Sequence, residues 1–305
     1  MNRYPLILFT VIVSILAECQ TKHAGPDTLT GYDFTSPDRR EILPGILHEI
    51  SGLTYIDSTT FACIQDEKGV LFIYDLKENA IKKQFTFFSK GDYEGIARVE
   101  DTIYVLRSDG TLIEISDYKS DNVIVTPYPT YIPMRNNEGL CYDRSNNRLL
   151  IAGKENTGKG DALKNKKFIY GFDLRTKSLL PEPVYTFDIG SLKEFAVGSG
   201  VDLPLKEKKK KKVKSFRLVL LFRPSAICIH PLTADLYILS SEDHLLFVFD
   251  RSGNIDKIVS LNPGMFAQPE GITFLENGDL LISNEGQSKS PATLLRFNYH
   301  KEAIK

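Results

Sequence analysis

From Ser51 onward, short apolar runs rich in β-branched and aromatic residues alternate with clusters of Gly, Pro, Asn, Asp and Ser, the pattern of antiparallel strands and tight turns. The runs repeat. Ser51-Gly52-Leu53-Thr54-Tyr55, Glu94-Gly95-Ile96-Ala97, Glu138-Gly139-Leu140-Cys141-Tyr142, Ser225-Ala226-Ile227-Cys228-Ile229 and Glu270-Gly271-Ile272-Thr273-Phe274 are five similar anchors, with intervals of 43, 44, 87 and 45 between their first residues. A period in the low forties fits four strands and their turns, so the expected fold is all-β, a five-bladed β-propeller of four-stranded antiparallel blades. The fourth unit is spelled most clearly, as Ser225–His230, Asp235–Leu239, His244–Phe249 and Ile255–Leu261. The fifth supplies only three strands, and an open edge must be covered, so Gly31–Ser36 is expected to close the last blade from the N-terminal side. The 87-residue interval leaves six blades as the alternative. However, the remainder, Gly190–Phe222, has no anchor and carries the lysine-rich run Lys206–Lys214, which suits an inserted loop of about residues 190–222.

The N-terminal residues follow a different pattern. After Arg3, residues Tyr4–Ala17 form an uncharged apolar run too short to span a bilayer, the core of an export signal. Leu16-Ala17-Glu18-Cys19 resembles a lipoprotein cleavage site, with Cys19 as the lipidated residue. Glu18 stands where a small residue is usual, so cleavage after Ala17 or an uncleaved anchor stays open. Residues 1–19 are therefore assigned as the signal, 20–30 as a tether and 31–305 as the propeller. The expected location is the bacterial cell envelope, membrane-anchored and facing the periplasm or the surface. A formal net charge of -1 argues against nucleic acid as a partner. Cys63, Cys141 and Cys228 lack zinc-site spacing and lie in apolar runs, which favours buried small hydrophobes over a disulfide.

The anchor acids need a reason beyond packing. Glu94, Glu138 and Glu270 precede their inner strands, which puts all three on one face of the ring, where like charges repel unless solvated, protonated or sharing a cation. Loops between second and third strands open on the same face and add Asp66, Glu155 and Glu285 as a second tier. Oxygen donors without a His or Cys cluster favour a hard cation, and Ca2+ tolerates an irregular shell better than Mg2+. The alternative is that these acids cap strands around a wet channel.

The anchors, with Glu49-Ile50 before the first, Asn137 before the third, Pro224 before the fourth and Gln268-Pro269 before the fifth, resemble the SdiA-regulated (YjiK-like) family over about Tyr32–Tyr299. The resemblance implies a five-bladed propeller, distantly similar to NHL repeats, with a calcium site at Glu94, Glu138 and Glu270 and no established activity. Ser51 and Ser225 replace Glu at two anchors, Ala226 replaces Gly, and the lysine-rich insertion has no counterpart in the family pattern. Gly153–Gly160 nearly spells a phosphate-binding loop, but Gly160 stands where Ser or Thr is required and no helix pattern follows. No zinc-hydrolase helix or nucleophile elbow is present, and His230 reads as structural. The expectation is a monomeric, lipid-anchored, calcium-binding module for an envelope protein or small ligand. A calcium-dependent hydrolase, lactonase or phosphoesterase-like, is the alternative, with no catalytic residue singled out.

Overall fold

The computed structural model describes residues 30–156, 163, 165–210 and 213–301. The export signal, Cys19 and the tether up to residue 29 lie outside the described residues. Among the described residues, no helix is long and apolar enough to cross a membrane.

Five antiparallel sheets follow one another along the chain. The first blade is β2 (Ile50–Tyr55), β3 (Thr60–Gln65), β4 (Val70–Asp75) and β5 (Ala80–Thr86). The second is β6 (Tyr93–Val99), β7 (Thr102–Arg107), β8 (Thr111–Ser116) and β9 (Ile124–Pro129). The third is β10 (Met134–Asp143), β11 (Arg148–Asn156) and β12 (Lys166–Asp173), with its outer edge shared by the short β13 (Ser178–Leu179) and β14 (Tyr185–Asp188). The fourth is β17 (Ala226–Ile229), β18 (Leu236–Ser240), β19 (Leu245–Phe249) and β20 (Ile255–Ser260). The fifth is β21 (Pro269–Phe274), β22 (Leu280–Asn284), β23 (Thr293–Phe297) and, on the outside, β1 (Arg39–Ile42). Each inner strand touches the next, and β21 returns to β2, so the five blades close a ring. Five blades, not six, is the outcome.

The closing strand is not Gly31–Ser36. It is β1, paired antiparallel with β23 from Arg39 opposite Arg296 to Ile42 opposite Thr293. Gly31–Ser36 precedes the first anchor as a closing strand would, but the Asp33 carboxylate accepts the Thr35 N–H at 2.9 Å and turns the chain. Both aromatic rings are instead driven into the core between blades four and five. There the Tyr32 hydroxyl donates to the Gly278 carbonyl and meets His230 Nε2 at 2.9 Å. His230 Nδ1 accepts the Leu232 and Thr233 N–H groups, so its Nε2 carries the proton, and burial lowers its pKa to about 4. The structural reading of His230 therefore stands.

The segment after the third blade is more ordered than a loop. Asp188 caps the helix α1 (Ile189–Gly198) by accepting the Ser191 N–H at 2.9 Å, and Leu192 and Ala196 pack against blades three and four. The lysine-rich run then forms a hairpin of β15 (Leu205–Lys210) and β16 (Val213–Leu218), outside the blades.

Blade-to-blade contact explains the anchor motif. A Cβ on Gly95 would lie 2.7 Å from Leu140 Cβ and one on Gly271 would lie 2.5 Å from Leu53 Cδ2, so these inner strands approach too closely for a side chain. The two anchor serines are seam bonds. Ser51 Oγ donates to the Tyr93 carbonyl at 2.6 Å, and Ser225 Oγ to the Pro269 carbonyl at 2.8 Å, each joining its blade to the next. Three positions further on, Thr54 and Thr273 accept the backbone N–H of Arg98 and Tyr55 from the following blade, each at 3.3 Å. Cys141 and Cys228 take the same place in their strands, and the Cys228 thiol donates to the Ile229 carbonyl at 3.8 Å. All three described cysteines are free, as expected for packing residues.

Because Tyr32 fills the seam between the last two blades, Tyr32→Ala should destabilise the protein by about 3–5 kcal/mol in urea titration. A loss under about 1 kcal/mol would mean that β1 alone closes the ring.

Candidate functional site

The acidic residues reach the channel through a local irregularity. In β2, β6, β10 and β21 the register slips by one residue at Ser51, Glu94, Glu138 and Glu270, so each first anchor residue is a bulge. A bulge leaves its residue unpaired and re-aims its side chain. Here it turns the three Glu side chains into one mouth, a cavity of about 140 Å3 also lined by Glu49, Asp66, Lys154, Gln268 and Glu285. Of the six sequence-derived candidates, Glu94, Glu138, Glu270, Asp66 and Glu285 line this mouth. Glu155 does not. Strand β11 runs on to Asn156, and side-chain alternation therefore sends Lys154 inward and Glu155 outward, where it faces Arg223 at 3.8 Å. The other second-strand loop acids are engaged elsewhere: Asp109 with Arg107, Glu242 with Arg223, and Asp243 with the N–H groups of Leu221 and Phe222.

Lys154 changes the electrostatics of the site. Its Nζ lies 3.0 Å from Glu138 Oε2, and the Lys167 ammonium donates to its carbonyl, holding this end of β11 in place. Burial alone would lower the Lys154 pKa, but the Glu138, Glu270 and Glu94 carboxylates outweigh it and hold the amine above its ordinary value. One ammonium faces six carboxyl groups. Burial, then Glu138 and Asp92, push Glu94 up to about 9, and burial with Glu138 and Glu285 brings Glu270 to about 7 against the opposing pull of Lys154. Glu138 also rises through burial, though Lys154 restrains it, and Glu94 and Glu138 are hydrogen-bonded to each other. Asp66 and Glu285 rise through burial and mutual repulsion with Glu49. Ser241 donates to Glu270, and Gln268 Nε2 to Glu285. At neutral pH Glu94 therefore keeps its proton, beside Glu138 and its contact with Lys154.

The donor set is all oxygen and suits a hard cation in its chemistry. Within it the buried Asp66 Oδ1 has no protein partner. Among the described residues, no group of three or more His, Cys, Asp or Glu is arranged to hold a metal ion as the side chains stand. The carboxylates are gathered around Lys154 instead. Lys154 was not singled out from sequence, and Glu49 and Gln268 entered only through the family resemblance, not as site residues. The parity of β11 would have exposed Lys154 once its strand was extended past Ala152.

Residues 181–290, from the end of the third blade through α1, the hairpin, the fourth blade and β22, match one family model. That model describes the SdiA-regulated family. The resemblance read from the fourth and fifth anchors is borne out over that segment, and the SdiA-regulated match includes the lysine-rich hairpin. No curated protein matches this sequence. Among solved structures, a glutaminyl cyclase of Myxococcus xanthus is 14% identical, with 86% of this chain and 95% of that one covered and a TM-score of 0.53. A streptogramin B lyase is 12% identical over 85% and 98% of the two chains, with a TM-score of 0.46. At these identities the likeness concerns the fold alone.

The raised acids fix the sign of a pH effect. Glu94 is protonated in the fold up to about pH 9 and ionises near 4.5 when unfolded, so its contribution to stability is present at low pH and lost as pH rises across that window. Glu94→Gln keeps the neutral shape without titrating. Its thermal midpoint should exceed that of the wild type by about 2–4 °C or more at pH 8.5 and match it near pH 4. Equal midpoints at both values would refute the buried, protonated Glu94.

Proposed function

We propose that the protein is an exported, lipid-anchored propeller that binds Ca2+ at its acidic mouth and serves in the cell envelope as a binding or interaction module for a protein or small ligand. The observation that carries the cation reading is the imbalance of six carboxyl groups against one ammonium in a cavity of about 140 Å3. Such a site relieves its repulsion by taking protons, as Glu94 and Glu270 do, or by taking a cation. Glu94, Glu138 and Glu270 would hold the ion, with Asp66 and Glu285 in the second tier. Bound Ca2+ would supply positive charge that six carboxyl groups lack. Lys154 and the protons compete for the same oxygens. Export and lipid anchoring rest on residues 1–19, outside the described residues.

Calorimetric titration of calcium into the chelator-treated protein tests this directly. Affinity should rise with pH from 6 to 9 as Glu270 and then Glu94 lose their protons, and Glu138→Gln should abolish binding. Lys154→Met should tighten binding by about tenfold, the scale of one charge-assisted contact. Absence of calcium binding in both the wild type and Lys154→Met would remove the cation from the proposal and leave a protein-interaction propeller.

A second reading, a calcium-dependent lactonase or phosphoesterase-like hydrolase, is favoured by the pairing of protonated Glu94 with Lys154-bound Glu138, an acid beside a base. Turnover of a lactone or phosphoester that disappears in Glu138→Gln while the fold persists would select it.

The anchor is tested separately. Metabolic labelling with a radioactive fatty acid should mark the wild type and not Cys19→Ala, whereas unlabelled wild type would point to cleavage after Ala17 or to an uncleaved anchor.

A further inference from the structure

The channel has a second, larger opening at the opposite face, a cavity of about 890 Å3 within the range of small-molecule sites. Its apolar lining includes Leu53, Ile96, Leu140, Ile227 and Ile272, one buried side chain from the equivalent anchor position of each blade, none of which lines the acidic mouth. Tyr55, Tyr142 and Phe274, at the ends of inner strands, add aromatic wall. The charge differs from that of the mouth. Arg98, Arg144 and Arg251 all line this cavity, and among the described residues none has a carboxylate at ion-pair distance. Of the acids lining it, Asp143 is bound by Arg148 Nε at 2.8 Å, which leaves Glu100 and Glu276 against three guanidiniums. Arg98 is held ready, its guanidinium carbon 4.9 Å from the centre of the Tyr55 ring and its Nη1 donating to the Glu100 carbonyl at 3.1 Å.

We propose that this cavity binds a small organic anion with an apolar or aromatic body, the body against the aromatic and aliphatic wall and the anionic group on Arg98, with Arg144 and Arg251 adding to the positive field. Guanidinium suits a carboxylate, sulfonate or phosphate oxygen pair, and its weak hydration suits a site beside aromatic rings. The proposal is independent of calcium at the other end.

The test uses the full chain and two probes, 8-anilinonaphthalene-1-sulfonate and the uncharged 1-anilinonaphthalene. The sulfonate should bind saturably at one site and about tenfold more tightly than the neutral probe. Arg98→Gln and Arg251→Gln together should erase that difference while circular dichroism stays unchanged. Because the chain has no Trp, Tyr142→Trp places a single indole in the wall, and bound sulfonate should quench it. Arg175→Gln, on a distant turn, should change nothing. Unsaturable binding, or a sulfonate preference that survives the double substitution, would overturn the proposal.

Discussion

The whole structure depends on how closely five inner strands can be packed around one axis. Each inner strand has one neighbour within its blade and none on the channel side, so its free edge must be satisfied by the next blade. Glycine at Gly95 and Gly271 permits the approach, and hydroxyls at Ser51, Ser225, Thr54 and Thr273 supply the bonds across the seams. Cys141 and Cys228 occupy the same structural position as the threonines. A serine at an anchor is therefore no degraded acid. It exchanges a charge at the mouth for a bond between blades.

The same crowding produces the acidic mouth. A bulge at the first anchor residue ends regular pairing just where the strand enters the channel and turns the side chain inward. Three blades bring Glu to that point, and burial does the rest by raising their pKa values. Lys154 limits the repulsion without removing it. The site is consequently poised between protons, an internal ammonium and an external cation, all competing for one set of oxygens.

The two ends of the channel are chemically opposite. One is small and dominated by carboxyl groups, the other wide, partly aromatic and rimmed by arginines. The wide end takes side chains from all five inner strands, the mouth from four of them. A ring of five aliphatic side chains belongs to the wide end alone, so the two chemistries share walls without sharing a cavity.

Repetition made much of this legible in the chain. The anchor spacing carried the number of blades, and the position of Glu94, Glu138 and Glu270 at the entry of their inner strands placed them on one face, because both are local properties of a repeated unit. The need for a closing strand was also readable, since an open edge is costly in any sequence. Which segment meets that need was not. Tyr32 and Phe34 share the alternation of a strand, yet their aromatic area is worth more between blades four and five, and the polar Arg39–Ile42 takes the exposed outer edge. Lys154 escaped for a related reason: its direction depends on how far β11 continues, which is set by contacts such as the Lys167 bond to its carbonyl rather than by its own neighbours in sequence. The sequence by itself determined the repeat, the strands and the types of side chain sent to each face. Only the tertiary structure decided which charges meet, because that depends on distances between residues far apart along the chain.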